Sequence, residues 1–270
     1  MKAYAKLNLL LHVLNKRDDG YHNLQMVNTK INLFDNIYII RNNQKEDTIK
    51  SLNLNDYITD DNNLILKVAK KFKEKYNINV CYNIEIEKNI PFGSGLGGVS
   101  VDVAAVIKYI AVDNNINITI KELIDFTLPF GADIPYGFFD KPAIVEGIGD
   151  IITEIELYSK DLILVIPDIY ISTPIVFKNQ LKFSKKVSHD ELISSVLNNK
   201  RDNDLEITSR KFYTEFDKIV NELSKYGKVV MSGSGSSLTI EPNEDINKTI
   251  DILKETYSDL KIYKIQTKEG

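Results

Sequence analysis

Glycine and serine are concentrated in one stretch of the chain, at positions 91–100, whose sequence is PFGSGLGGVS. A glycine loop that opens a helix presents unpaired backbone N–H groups at the positive end of the helix dipole, which suits a phosphate group. Glycine is favoured there because a side chain would hold the anion away from the amides. The stretch predicts a phosphate-binding loop, although a tight strand-to-helix turn would explain the same glycines.

This loop differs from the two most common phosphate-binding motifs. A P-loop requires Gly-Lys followed by Ser or Thr, and no such sequence follows these glycines. The spacing of Gly93, Gly95 and Gly98 does match the dinucleotide-binding pattern. That pattern belongs to a parallel sheet covered on both faces, whereas the strand before this loop alternates in polarity, as in an antiparallel sheet with one wet face. The alternation argues against a doubly wound sheet.

Two regular elements must position the loop. Residues 80–87 predict a half-buried strand, because apolar and polar residues alternate along them. The residues after the loop predict a helix with one apolar face, formed by Val103, Ala104, Ile107, Ile110 and Ala111. Thr119 and Glu122 have the spacing of a capping box and predict the start of another helix, which Pro129 and Gly131 end.

The remaining pattern predicts an α+β protein with two lobes, residues 1–157 and 158–270. Helices are expected at 63–75, 189–198, 203–225 and 246–257. Strands are expected at 1–14, 27–41, 142–146, 151–157, 161–167, 229–231, 238–240 and 260–265. The fully apolar strand at 161–167 should lie in the centre of a second sheet.

Composition excludes several function classes. The 270 residues are 43% hydrophobic and 27% charged, which is ordinary for a globular protein. A net charge of -4 leaves no basic footprint for nucleic acid. One cysteine and three histidines argue against disulfides and against a metal centre built on these residues. No apolar run has the length of a membrane span. We expect a cytoplasmic protein, a monomer or weak homodimer that binds neither membrane nor nucleic acid.

Two further motifs could carry chemistry. A second glycine-serine loop lies at 231–237, where a hairpin turn explains it as well as ligand binding would. Asp133 lies in the sequence GADIP at 131–135, where aspartate is commonly a cap or turn residue. Neither motif identifies a function by itself.

Taken together and in order, the motifs resemble those of the GHMP kinases, which bind ATP on a glycine loop of this kind. The matching segments are AKLNL at 5–9, DGYH at 19–22, IPFGSGLGG at 90–98, GADIP at 131–135, GIGD at 147–150, STP at 172–174, NDLE at 203–206 and MSGSGS at 231–236. Within that superfamily the chain is most similar to the branch whose acceptor is a cytidine-diphosphate-capped methylerythritol. The segments extend over nearly the whole sequence.

The resemblance implies a fold, a reaction and two catalytic residues. The N-terminal lobe is expected to hold a β-α-β unit whose glycine loop opens a helix, and the C-terminal lobe a ferredoxin-like α/β sandwich. The reaction is transfer of the ATP γ-phosphoryl group to the 2-hydroxyl of the methylerythritol, a step in making isoprenoid precursors. Asp133 matches the family's catalytic aspartate and Lys6 the lysine beside it, whose ammonium would favour the ionised carboxylate.

The resemblance also assigns ligand contacts. ATP is expected to bind at Pro91, Gly93, Ser94, Gly95, Leu96, Gly97, Gly98 and Ser100. Magnesium should arrive with ATP, held mostly by phosphates and water and without metal-ligating residues of the protein.

At the acceptor, Asn8 matches a residue near the substrate hydroxyls and Thr173 a polar contact. Tyr21 matches a residue that stacks on the cytosine base and His22 one that hydrogen-bonds it, with Phe177 as the second face of the sandwich.

The chain departs from the family motif at two positions. Val99 replaces a glycine, which would restrict the backbone if a positive φ were needed there. Val101 replaces a serine and removes a possible phosphate or metal contact. A GHMP kinase for homoserine or a mevalonate derivative is an alternative, although those acceptors have no base for Tyr21. A catalytically silent nucleotide-binding relative is another, which the presence of Lys6 and Asp133 opposes.

Overall fold

The computed structural model describes residues 1–57, 59–60 and 62–270. Its strands are β1 (Lys2–Lys16), β2 (His22–Asn42), β3 (Thr48–Ser51), β4 (Cys81–Glu87), β5 (Ala143–Gly147), β6 (Ile151–Glu154), β7 (Asp161–Ile166), β8 (Gly227–Met231), β9 (Leu238–Pro242) and β10 (Lys261–Gln266). Its helices are α1 (Leu64–Tyr76), α2 (Gly98–Asp113), α3 (Ile120–Thr127), α4 (Ile134–Gly137), α5 (Thr173–Lys178), α6 (His189–Leu197), α7 (Glu206–Phe212), α8 (Thr214–Leu223) and α9 (Ile246–Thr256). The predicted α+β class is confirmed.

By compactness the chain separates into two interleaved units. The first comprises residues 1–6, 33–92 and 97–140, and the second comprises residues 7–32, 93–96 and 141–270. The interleaving arises because β1 and β2, which pair with each other, are long enough to contribute to both units. The two lobes expected at residues 1–157 and 158–270 stay a prediction.

The first unit contains the strand that precedes the glycine loop and the helix that follows it. The second half of β2 pairs antiparallel with β4, from Asn36 opposite Glu87 to Asn42 opposite Cys81. The short strand β3, which the sequence did not predict, adds to the other edge of β4 in parallel. Helix α2 packs against α1 and α4. Its predicted apolar face is confirmed, since Val103, Ala104, Ile107, Ile110 and Ala111 are all buried.

The second unit contains the predicted ferredoxin-like arrangement. Strands β7 to β10 form an antiparallel sheet in the order β10-β7-β9-β8. Strand β7 lies inside this sheet and is buried along Leu162–Ile166, as its apolar sequence predicts. The segment predicted as helical at 203–225 is divided into α7 and α8, because the backbone of Tyr213 leaves the helical region with φ -125°. The first part of β2 pairs with β5, which pairs with β6.

The capping box at the start of α3 is confirmed. The backbone N–H of Glu122 donates to the Thr119 hydroxyl at 3.2 Å, and the Glu122 carboxylate accepts from the Thr119 backbone N–H at 2.8 Å.

The helices within residues 1–57, 59–60 and 62–270 are all too short or too polar to cross a membrane.

Candidate active site

Lys6 and Asp133 come together in the first unit. The Lys6 ammonium nitrogen lies 3.5 Å from Asp133 Oδ1. Lys6 is buried on β1 between two fully buried neighbours, Ala5 and Leu7, whereas the Asp133 side chain is 45% exposed. Asp133 directly precedes α4, in a turn closed by the Ile134 N–H donating to the Gly131 carbonyl. A buried cation therefore holds a carboxylate that is open to a ligand.

The glycine loop has a conformation that requires glycine. Gly93, Gly95 and Gly97 all have positive φ, at 66°, 77° and 67°. A Cβ on Gly97 would lie 2.9 Å from Lys6 Cγ, so this position is restricted both by its backbone conformation and by crowding. The close approach places the Lys6 side chain directly against the last loop residue before α2.

Helix α2 begins at the end of the loop, and its first N–H groups have no acceptor within the helix. Gly97 is its N-cap, and the first intrahelical bond runs from the Val101 N–H to the Gly97 carbonyl at 2.9 Å. The N–H groups of Gly98, Val99 and Ser100 precede this bond and have no partner within the helix. This is the arrangement that favours an anion at a helix N-terminus.

The two valines that depart from the family motif do not disturb this arrangement. Val99 is a helical residue in the first turn of α2, so the positive φ that would have excluded valine does not occur there. Val101 is 2% exposed and its backbone lies near Gly137 of α4. Its side chain is part of the core.

The second glycine-serine loop is a hairpin connection between β8 and β9, and it also supports the first loop. The Ser237 N–H donates to the Ser94 carbonyl at 3.1 Å, and the Ser232 hydroxyl donates to the Gly95 carbonyl at 3.4 Å. A Cβ on Gly95 would collide with the Ser232 carbonyl oxygen. The hairpin explanation is confirmed, and ligand binding by this loop stays a prediction.

Asn8 is buried, and its amide connects this hairpin loop to the sheet. Its Oδ1 accepts from the Gly233 N–H at 2.8 Å, and its Nδ2 donates to Asn28 Oδ1 at 2.6 Å. This role could not be predicted from the sequence, because the partners are far apart along the chain. The contact with substrate hydroxyls stays a prediction.

His22 lies in an aromatic cluster at the start of β2. It is 6% exposed, and its ring centroid lies 5.3 Å from that of Phe177 and 6.4 Å from that of Phe183. Burial, and secondarily the nearby Lys16 ammonium, lowers the pKa of His22 below its ordinary value of 6.5. At neutral pH the ring is thus uncharged, with one donor and one acceptor nitrogen.

Tyr21, Phe183 and Thr173 complete this region. Tyr21 is 56% exposed, and within the described part of the chain no ring contact joins it to Phe177. Phe183, also half exposed, was missed by the sequence argument, although an aromatic residue in the polar stretch after Phe177 was the available signal. The Thr173 hydroxyl lies 2.6 Å from that of Ser234.

A cavity of about 580 Å³ lies beside the hairpin that carries Tyr21 and His22. It is lined by Leu14, Asn15, Asn23, Leu24, Glu146, Gly147, Ile151, Ser184, Lys185 and Lys186. Glu146 is held in its wall by Lys186 and His189, each at 2.9 Å, and hydrogen bonding and charge from these partners outweigh burial to lower its pKa. Cavities of this size hold small-molecule ligands.

Over the described ranges 1–57, 59–60 and 62–270, no group of three or more His, Cys, Asp or Glu side chains could hold a metal ion.

Comparison with known proteins identifies the family. Residues 63–147 match the GHMP kinases N terminal domain. The chain is 38% identical over 96% of its length to a 4-diphosphocytidyl-2-C-methyl-D-erythritol kinase of Clostridium botulinum, covering 97% of that protein. It is 34% identical over 96% of its length to the enzyme of the same name from Thermoanaerobacter pseudethanolicus, covering 93% of it.

Solved structures agree with these sequence relatives. A crystal structure of 4-(cytidine 5'-diphospho)-2C-methyl-D-erythritol kinase superposes with a TM-score of 0.82 at 22% identity, covering 100% of this chain and 99% of that one. The mevalonate kinase of Methanococcus jannaschii shares the fold at a TM-score of 0.69 and 16% identity, with 100% and 98% of the chains covered. On the identity and coverage of its sequence relatives, the chain belongs to the 4-diphosphocytidyl-2-C-methyl-D-erythritol kinase family of the GHMP kinases.

Proposed function

We propose that this protein transfers the γ-phosphoryl group of ATP to the 2-hydroxyl of 4-diphosphocytidyl-2-C-methyl-D-erythritol, in isoprenoid precursor biosynthesis. The observation that carries the proposal is the pair of Lys6 and Asp133, 3.5 Å apart, with the lysine buried and the aspartate half exposed. Relatives that are 34–39% identical to this chain are named as kinases of this substrate.

Asp133 and Lys6 divide the chemistry between them. The half-exposed carboxylate can accept the hydroxyl proton or orient the hydroxyl toward phosphorus, as general base catalysis requires. The Lys6 ammonium is held against the carboxylate and can also stabilise negative charge on the transferring phosphoryl oxygens. Because Lys6 is buried, its charge is weakly screened by water, which strengthens both interactions.

The glycine loop supplies the ATP site in this proposal. The N–H groups at the start of α2 and the loop residues from Pro91 to Gly98 would surround the phosphates, with the Ser100 hydroxyl in the first turn of the helix. Magnesium is proposed to enter with ATP, where it would neutralise phosphate charge. The positive φ values of the loop keep its backbone, rather than side chains, toward the anion.

The aromatic cluster supplies base recognition. A neutral His22 can both donate to and accept from the edge of cytosine, and the exposed ring of Tyr21 is available for stacking. Homoserine and mevalonate have no base to use these groups. The site thus favours a cytidine-containing acceptor over the alternatives within the superfamily.

Two attributes of the working protein are proposed with the reaction. Since ATP is the donor, we place the reaction in the cytoplasm, and a small-molecule kinase of this kind can work as a monomer or weak homodimer. Sedimentation analysis at micromolar concentration tests the second statement.

The decisive experiment is a coupled ADP-release assay with ATP, magnesium and 4-diphosphocytidyl-2-C-methyl-D-erythritol, run beside homoserine and mevalonate phosphate. We expect turnover with the cytidine compound alone. Faster turnover with another acceptor would reassign the substrate. ATP binding without turnover on any acceptor would identify a catalytically silent relative.

A further inference from the structure

A buried cluster of three charges lies beneath the glycine loop. The Lys88 ammonium contacts the carboxylates of both Asp35 and Asp102, with the Asp102 Oδ2 contact at 2.6 Å. The Lys88 side chain is 1% exposed and both carboxylates are fully buried. Among the described residues Asp102 Oδ1 has no hydrogen-bond partner. The reaction proposed above gives this cluster no role.

The cluster joins the two ends of the loop. Lys88 lies just before the loop, and Asp35 Oδ1 accepts the backbone N–H groups of Asn89 at 2.5 Å and Ile90 at 2.8 Å. Asp102 lies after the loop, in the second turn of α2. The Lys88 ammonium therefore connects the segment that enters the loop to the helix that leaves it.

The ammonium is also close to the loop itself. It lies 5.3 Å from the centre of the Phe92 ring, and a Cβ on Gly98, the first residue of α2, would be 3.6 Å from it. The same hypothetical Cβ would be 2.9 Å from Ile90 Cγ2. The start of α2 thus rests directly on Lys88 and Ile90, so that a shift of either would displace the first free N–H groups of the helix.

Stability alone does not account for such a cluster. Burying three ionised groups costs several kcal/mol each, and apolar residues of similar volume often replace buried ion pairs without loss of stability. What the cluster provides is a fixed geometry with directional bonds. A fixed loop matters for function because preorganised N–H groups bind an anion without the cost of ordering the backbone.

We propose that Lys88 is a positioning residue for ATP, which acts with Asp35 and Asp102 to hold the glycine loop and the N-terminus of α2 in the phosphate-binding conformation. The proposal rests on the proposed function, since it assumes that this loop binds the phosphates of ATP.

The chain offers a matched control within the same unit. Lys73 is also a nearly buried lysine, 11% exposed, and its ammonium lies 2.7 Å from Asp47 Oδ2. Lys73 belongs to α1 and Asp47 also accepts the Tyr82 N–H, so this pair supports the sheet rather than the glycine loop. Lys73→Met removes the same kind of ion pair as Lys88→Met and should lower stability without changing ATP affinity.

The test is calorimetric titration of ATP with magnesium, in the absence of acceptor, together with thermal unfolding. We expect Lys88→Met to raise the Kd for ATP about tenfold, which corresponds to ~1.4 kcal/mol. Asp102→Ala, which cuts only the connection to α2, should raise it about fivefold, whereas Asp102→Asn keeps an acceptor for Lys88 and should stay within about twofold. The KM for the cytidine acceptor should not change in any of them.

The outcomes separate the two proposals. If the wild-type protein binds ATP and the folded Lys88→Met and Asp102→Ala variants bind it equally well, the positioning role is wrong and the proposed function stands. An equal rise in Kd for Lys73→Met would also overturn it, because the effect would then follow from stability. If Lys88→Met does not fold, Asp102→Ala decides the question. Failure of the wild-type protein to bind ATP would overturn the proposed function itself.

Discussion

The two proposed binding regions differ in what they are built from. The phosphate region, formed by Lys6, Asp133 and residues 91–98, depends on backbone conformation and on charges that are buried or held by buried partners. The base region, formed by Tyr21, His22, Phe177 and Phe183, depends on side-chain rings, two of which are about half exposed. A region built from backbone is damaged by adding atoms, whereas a region built from rings is damaged by removing them.

This difference has a physical reason. Phosphoryl transfer requires charge stabilisation at fixed positions, which rigid N–H groups and a buried ammonium supply without reorganisation. Stacking on a base requires a flat apolar surface and tolerates lateral movement. Substitutions in the phosphate region should therefore reduce kcat or ATP affinity steeply, and those in the base region should weaken one substrate moderately.

The largest effect is expected at the carboxylate. Asp133→Asn keeps the shape of the side chain and removes its ability to accept a proton, so kcat should fall about 10²–10⁴-fold. ATP affinity, measured by calorimetry, should change little. Asp140, whose side chain is 76% exposed on the same unit, provides the control, and Asp140→Asn should retain activity. Loss of ATP binding in the Asp133 variant would mean that the residue is structural.

Gly97→Ala tests the backbone of the phosphate region. The left-handed conformation costs a non-glycine residue about 1–2 kcal/mol. The new Cβ would also lie only 2.9 Å from Lys6 Cγ, so the Lys6 side chain would have to move away. We expect kcat/KM for ATP to fall about 10–100-fold, in line with strain plus a displaced catalytic group.

Gly20→Ala separates the two causes of that effect. Gly20 has φ 87° but nothing within 4 Å of a new Cβ, so alanine there adds backbone strain without crowding. It should reduce stability and leave ATP affinity unchanged. If the Gly97→Ala enzyme has wild-type kinetics, the backbone of the phosphate region tolerates an added side chain. The proposed difference between a rigid phosphate region and a tolerant base region would then be wrong.

Tyr21→Ala tests the base region. Loss of a stacked ring costs about 1–3 kcal/mol, so the KM for the cytidine acceptor should rise about 5–150-fold while the KM for ATP stays constant. Tyr158→Ala is the control, because Tyr158 is also an exposed tyrosine of the second unit, at 81%. An equal rise in KM for both substrates would show that Tyr21 does not stack on the base.

The sequence was informative where the signal is local. The glycine loop, the start of α2 and the capping box at Thr119 each depend on residues within a few positions of one another, and all are found where they were predicted. Strand β3 was missed because four residues of mixed polarity carry no clear alternation. The interruption at Tyr213 was missed because neither glycine nor proline marks it.

The contacts between side chains of the candidate site could not be predicted from the sequence, and the roles assigned to its residues stay predictions. Asp35, Lys88 and Asp102 lie far apart along the chain and have no common spacing, so only the folded sheet and helix bring them together. The same holds for Asn8, whose side-chain oxygen accepts a hydrogen bond from the N–H of Gly233, 225 positions away along the chain. Long-range hydrogen bonds between buried polar groups depend on tertiary packing, which no local pattern encodes.

The two regions also differ in their response to pH, because the pKa values of their buried groups are shifted in opposite directions. Burial lowers the pKa of His22, so the base region loses stability as pH falls below the ordinary histidine value of 6.5. Burial raises the pKa of Asp102 from 3.8 to about 7, with Lys88 opposing and Asp35 adding to the shift.

Asp102→Asn should therefore change the pH dependence of stability more than stability itself. A carboxyl whose pKa is raised in the folded state binds a proton more tightly there than in the unfolded chain. Its stabilising contribution is complete below pH ~4 and is lost as pH rises to about 7. The variant lacks this titration, so its Tm relative to wild type should increase between pH 5 and pH 8, by an amount equivalent to about 2–3 kcal/mol. Thermal unfolding at several pH values measures the difference. A constant offset between the two proteins would mean that Asp102 is ionised throughout this range and that Lys88 fully compensates its burial.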